Sequence, residues 1–154
     1  AAAYTWRAVC ALALLGTLWF IFSHSAQPAA VSGAQSRGVL AFVNQALRGW
    51  GLPGVSEHLL RKAAHFAEFM VLGWWMLLCT RAFAARVARW MPWLWGAGIL
   101  CAAADEGIQF FVPGRSARIS DVLLDGCGVL AGLVLARAAI WAWTRLHGRA
   151  EERR

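Results

Sequence analysis

The chain has 154 residues, 60% of them hydrophobic, a net charge of +7 and a mean hydropathy of +0.52. Soluble domains carry only about 45–50% apolar residues even with glycine counted, so this composition argues against a soluble globule, and the 10 Trp point to a membrane interface. The basic residues flank or separate apolar runs and form no stripe interleaved with aromatics, so nucleic acid is not expected as a partner.

A bilayer core takes about 20 mostly apolar residues per helix, and four stretches qualify. The first is 4–22, whose core from Val9 to Phe22 carries no charge. A cleaved signal peptide is its alternative, with 25–30 as a cleavage-like segment. The long connection 23–61 follows. Within it Val39, Phe42, Val43, Ala46, Leu47 and Trp50 recur at helical spacing, which predicts an amphipathic helix over 36–50 lying in the membrane interface. The Gly51-Leu-Pro-Gly54 run ends it, and Ser56 can open the next helix, without a capping box.

The second stretch, 63–83, contains His65 and Glu68. The third, 91–112, contains Asp105, Glu106 and Gln109. Pro113-Gly114 then makes a tight turn, and Ser120 is a possible N-cap for the fourth stretch, 121–143, which holds Arg137 in its far half. Gly126, Gly128 and Gly132 give that helix a small-residue face for close packing. The expected fold is therefore all-α: one integral membrane domain over 1–154, with four transmembrane helices and an interfacial amphipathic helix between the first and second.

Cys10, Cys79, Cys101 and Cys127 each lie in apolar surroundings and form no CxxC, so they read as small apolar residues, with no disulfide or zinc spacing. With four spans, Arg7, Arg81, Arg86, Arg89, Arg145, Arg149, Arg153 and Arg154 share one side of the membrane. Arg37, Arg48, Arg61, Lys62, Arg115 and Arg118 lie on the other, diluted over a longer loop. The positive-inside rule then puts both termini in the cytoplasm of a multi-pass protein.

Lys62, His65 and Glu68 are spaced i, i+3, i+6 and form a strip about 9 Å long that descends from the membrane boundary. Lys62 can be a snorkelling anchor and His65 a contact between helices, but a carboxylate inside a span demands a partner. Asp105 and Gln109 share a helix face, as do Glu106 and Gln109. The adjacent carboxylates are costly near hydrocarbon unless paired or protonated, and a structural ion network would also satisfy them. Arg115 and Arg118 can be solvated loop charges. Asp125 lies one turn below Asp121.

Topology brings the start of the second span, the end of the third and the start of the fourth to one membrane face. Lys62, Gln109, Arg115, Asp121 and Asp125 are thus candidate ligand-binding residues, and His65, Glu68, Asp105 and Glu106 candidate proton-transfer residues. Lys62 and Arg115 could hold a phosphate, and His65, Glu68 or an Asp could act as a general base. His with carboxylates suits a divalent ion, yet no HExxH or comparable spacing is present, and no metal is assigned. The cofactor is left open.

The run Lys62-Ala-Ala-His65-Phe-Ala-Glu68-Phe resembles the KxxHxxEF/Y signature of the VanZ-like family. Asp105-Glu106-x-x-Gln109-x-Phe-x-Pro113-Gly114-Arg115, followed by Asp121-Val and a glycine-rich helix, resembles its second signature. Ser23-His-Ser-Ala-Gln27 resembles the Ser/Gln element after the family's first span. The likeness covers nearly the whole chain. It implies a bacterial cytoplasmic-membrane protein of the cell envelope, linked to resistance against teicoplanin, a lipid-tailed glycopeptide. Membrane lipids, a lipid-linked cell-wall precursor or the lipoglycopeptide would be its partners. One departure stands out: position 125 is Asp where the family pattern leads one to expect Asn, which adds an acidic group to the site.

Three functions fit these residues. An envelope enzyme would act on a lipid-linked phosphate or glycan at the outer leaflet. A non-catalytic binder would shield a precursor or the antibiotic's acyl chain. A small carrier would use the intramembrane carboxylates for proton coupling.

Overall fold

The computed structural model describes residues 2–84 and 87–151, with side chains through residue 146. Arg86, Arg153 and Arg154, used above for orientation, lie outside the described residues, as does the side chain of Arg149. The described chain is all-helical: α1 Ala2–Ser25, α2 Ala29–Gly49, α3 Glu57–Phe83, a 3-10 turn Val87–Trp90, α4 Met91–Phe110 and α5 Ile119–Glu151.

Local chemistry explains most of the boundaries. Ser56 caps α3, its Oγ accepting the Leu59 N–H at 3.2 Å, and Glu57 meets the positive helix end. The helix therefore starts several residues before its apolar run. Pro92 opens α4, where its missing N–H costs nothing. The amphipathic helix begins at Ala29, just past Pro28, and not at 36. Gly33 lies inside this helix, buried beside the side chains of Arg37 and Glu57. Ser120, a possible cap of α5, instead sits inside its first turn, where its hydroxyl bonds Asp121 Oδ1 at 3.3 Å.

The helices α1, α3 and α5 are each long and apolar enough to cross a membrane. The helix α4 has 20 residues, and Asp105, Glu106 and Gln109 near its end lower its hydropathy. Large apolar side chains such as Leu12, Trp19, Leu123 and Val134 face outward, which suits lipid and not water.

The central pair is α3 and α5, which touch backbone to backbone. A Cβ added at Gly73 or Gly132 would strike the carbonyl of Val129 or Met70, and one at Gly128 would strike that of Phe66. Two of the three glycines expected on the small-residue face, Gly128 and Gly132, thus lie against α3. Gly126 lies against Ile99 of α4 and accepts a hydrogen bond from Trp95 Nε1 at 3.0 Å. Phe69, Leu72, Leu77, Val129, Leu133 and Ala136 fill the seam, with Ile21 of α1 and Ala102 of α4. In lipid such a seam is held by van der Waals fit more than by removal of water. At one end Arg7 Nε donates to the Ala82 carbonyl at 2.9 Å and ties α1 to the last turn of α3. At the other end the last turn of α1, the start of α3, the end of α4 and the start of α5 converge, and the buried polar residues gather there.

Candidate functional site

The strip on α3 faces two neighbours. Lys62 Nζ donates to Asp121 Oδ1 across 2.7 Å, joining α3 to α5. One turn on, His65 Nδ1 stands 3.9 Å from Glu68 Oε2, too far for a hydrogen bond, and both atoms are buried without a partner.

On α4 the expected i, i+4 pair forms: Gln109 Nε2 donates to Asp105 Oδ2 at 2.8 Å. The same nitrogen donates to Ser25 Oγ of α1 at 3.2 Å, so one amide group links the first and fourth helices. Glu106 points the other way. Its Oε2 accepts the backbone N–H of Arg118 at 2.8 Å and pins the loop that leads into α5.

That loop carries Arg115. Gly114 adopts a φ of 79°, which the turn requires and which glycine tolerates. The Ala29 N–H donates to the Pro113 carbonyl at 3.4 Å, and Arg115 Nη2 donates to the His24 carbonyl at 3.2 Å. Arg115 Nε is buried without an acceptor, and Arg115 enters no ion pair among the described residues. Burial, with Arg61 nearby, pulls its guanidinium below its ordinary range, although an arginine stays charged.

Two cavities open here. One of about 220 Å³ is lined by His58, Arg61, Lys62, His65, Glu106, Gln109, Arg115, Arg118, Asp121 and Asp125, among others. A second, of about 180 Å³, lies toward α2 and is lined by His24, Gln35, Val39, Leu60 and Glu68. Arg61, His65 and Arg115 border both.

Between the helices, His65 of α3, Asp105 of α4 and Asp125 of α5 each bring one potential ligand atom within 4.8 Å of the others. Asp105 is 0% exposed and Asp125 2%, and each has its Oδ1 buried and unbonded. Two carboxylate charges at that separation repel by roughly 3–4 kcal/mol at an effective dielectric of about 20. Desolvation adds several kcal/mol per ion. A proton or a cation must offset this.

A family model described as VanZ/LLP1 matches residues 10–142. The chain belongs to the VanZ/LLP1 family. Together with its three long apolar helices, this makes it a membrane protein, as the sequence signatures led one to expect. No curated protein and no solved structure matches it.

In this VanZ/LLP1 protein, the residues singled out by sequence lie around one end of the bundle, with Glu68 on the α2 side of His65 and Glu106 turned toward the α5 loop. Sequence reasoning gave no site role to Ser25, to the His24 carbonyl or to His58, and it read Arg118 mainly as loop charge. The Ser23–Gln27 element was the one signal for the first two. Nothing in spacing alone reveals that the end of α1 reaches Gln109, 84 positions away.

Proposed function

We propose that this VanZ/LLP1 membrane protein binds the phosphate head group of a lipid-linked cell-envelope precursor at the outer leaflet. In this reading α4 is the fourth span, since Trp93 and Leu100 on it are 74% and 72% exposed as lipid-facing residues would be. The α2 helix lies in the interface with Val39, Phe42 and Trp50 toward the acyl chains. Both termini are cytoplasmic, and the polar end of the bundle faces out.

The observation that carries the reading is Arg115. It is a half-buried guanidinium on a cavity wall, hydrogen-bonded to a carbonyl but paired with no anion among the described residues; Arg118 and Arg61, the latter paired with Glu57 at 3.3 Å, line the same space. A guanidinium fork matches phosphate bidentately, and a partly buried guanidinium left without an ion-pair partner among the described residues favours an anionic ligand. The occupant is a lipid because the second cavity opens beside the apolar residues Val39 and Leu60. His65, Glu68 and Asp105 would move protons at the bound head group, which makes the protein an envelope enzyme, and altered handling of the precursor would link it to glycopeptide resistance.

The test is native mass spectrometry of the full chain released from membranes, read for a co-purifying phosphate-bearing lipid. Loss of that lipid in Arg115→Ala with the fold retained is the expected result. A lipid-free spectrum, or equal retention by Arg115→Ala, would overturn the proposal. A binding role without catalysis is favoured by the 3.9 Å gap between His65 and Glu68, which leaves the imidazole without its orienting bond. A folded His65→Ala protein that keeps full cellular effect would select that role.

A further inference from the structure

Three helices aim one ligand-type atom each at a common point: His65 from α3, Asp105 from α4 and Asp125 from α5, all within 4.8 Å of one another. Three ligands spread evenly around an ion lie about 3.6 Å apart for bonds of about 2.1 Å and about 4.2 Å apart for bonds of about 2.4 Å. The observed spread of at most 4.8 Å therefore closes around a divalent cation with a contraction of about 1 Å or less.

The oxygens Asp105 Oδ1 and Asp125 Oδ1 and the nitrogen His65 Nδ1 are buried without hydrogen bonds. Native proteins rarely leave such atoms unmet unless something else occupies the space. The nearby cationic side chains do not meet them. Lys62 is bonded to Asp121, and the Arg115 guanidinium bonds the His24 carbonyl. Neither Asp105 nor Asp125 enters an ion pair among the described residues.

The far side of Asp105 is braced. Its Oδ2 accepts from Gln109 Nε2, and that nitrogen also donates to Ser25. A fixed partner behind a ligand is what metal sites use to orient their carboxylates. His65 and Asp125 both line the 220 Å³ cavity, so the coordination positions left open by three protein ligands face that space.

We propose that His65, Asp105 and Asp125 form a binding site for a divalent transition cation at the inner wall of the cavity. One imidazole with two carboxylates suits manganese, ferrous iron or zinc. With the cation bound, His65 and Asp105 would serve as ligands and proton transfer would fall to Glu68; the cation would stand where it could meet a head-group phosphate, and to that extent the inference rests on the function proposed above. Cation binding itself does not depend on it.

The probe is Mn²⁺, because four cysteines would give zinc other places to bind. The full chain in detergent, stripped with EDTA, is titrated with MnCl₂ while the signal of free aqueous Mn²⁺ is read by electron paramagnetic resonance. One bound Mn²⁺ per chain is expected, with a nitrogen coupling from the His65 imidazole in electron spin echo modulation. Asp105→Asn and Asp125→Asn should each weaken binding by about tenfold or more. In Arg115→Ala, which loses a positive charge near the ion, binding should hold or tighten.

No uptake above a detergent blank overturns the proposal. So does uptake without nitrogen coupling, or an Asp125→Asn variant that binds like the parent. The spectroscopic arm uses the parent chain and stands even if a variant fails to fold. Mn²⁺ binding without any retained phospholipid would sink the lipid reading alone, and retained phospholipid without Mn²⁺ binding would sink this one alone.

Discussion

Lys62 of α3 and Asp121 of α5 neutralise one another across 2.7 Å, so the lysine with the most obvious reach toward an anionic ligand already has a partner. Its ammonium joins the beginnings of the two central helices. Lys62→Met should lower stability by about 1–3 kcal/mol, because Asp121 loses its compensation at a partly buried position. Adding Asp121→Asn should recover most of that. A double-mutant cycle on unfolding in mild detergent measures the coupling, and a value near zero would show that the pair does not join the helices.

Gly132→Ala should cost at least about 2 kcal/mol, since the added methyl would sit on the Met70 carbonyl and force α3 and α5 apart. Gly16→Ala is the contrasting change. No atom lies within 4 Å of a Cβ there, and the helix should gain up to about 1 kcal/mol. Thermal midpoints of the two variants should move in opposite directions.

Ser25→Ala should cost about 1 kcal/mol by removing one of the two acceptors of Gln109 Nε2 in a buried setting. The remaining bond to Asp105 keeps the amide oriented. A thermal shift as large as that of Gln109→Ala would mean that Ser25 supports more than this bond.

Asn44 clamps the turn before α3 at both ends of one residue: its Oδ1 accepts the Val55 N–H at 2.7 Å, and its Nδ2 donates to the Val55 carbonyl at 3.1 Å. Asn44→Ala should open that turn, with a local loss of about 1–2 kcal/mol and at least tenfold faster hydrogen exchange at the Val55 amide. Asn44→Asp, which keeps the acceptor, should retain most of the protection. Unchanged exchange in Asn44→Ala would place the protection elsewhere.

The long apolar helices were legible because hydrocarbon-length runs are a strong signal, and α1, α3 and α5 fall where those runs lie. Their ends were less so. Ser56 and Glu57 extend α3 into polar sequence through capping chemistry that a hydropathy window averages away. The start of α2 was hidden by Gly33 and the serines around it. Within the site, Asp105 with Gln109 followed from helical spacing, whereas Glu106 with the Arg118 backbone and Gln109 with Ser25 are long-range bonds. The meeting of His65, Asp105 and Asp125 depends on how three helices rotate about their axes, and one sequence does not state that rotation.

At Gly128 and Gly132 no side chain stands between α3 and α5, so those two helices form a stiff keel whose spacing is set by backbone atoms in contact. The separation of His65 from Asp125 inherits that stiffness, since each is mounted on one half of the keel. The segments from α1 to α2 and from α4 to α5 are built otherwise, linked to one another through the Ala29–Pro113 and Arg115–His24 bonds. Visitors of different bulk would thus be accommodated by these straps, while the distances among the buried acid and imidazole groups stay as the keel dictates.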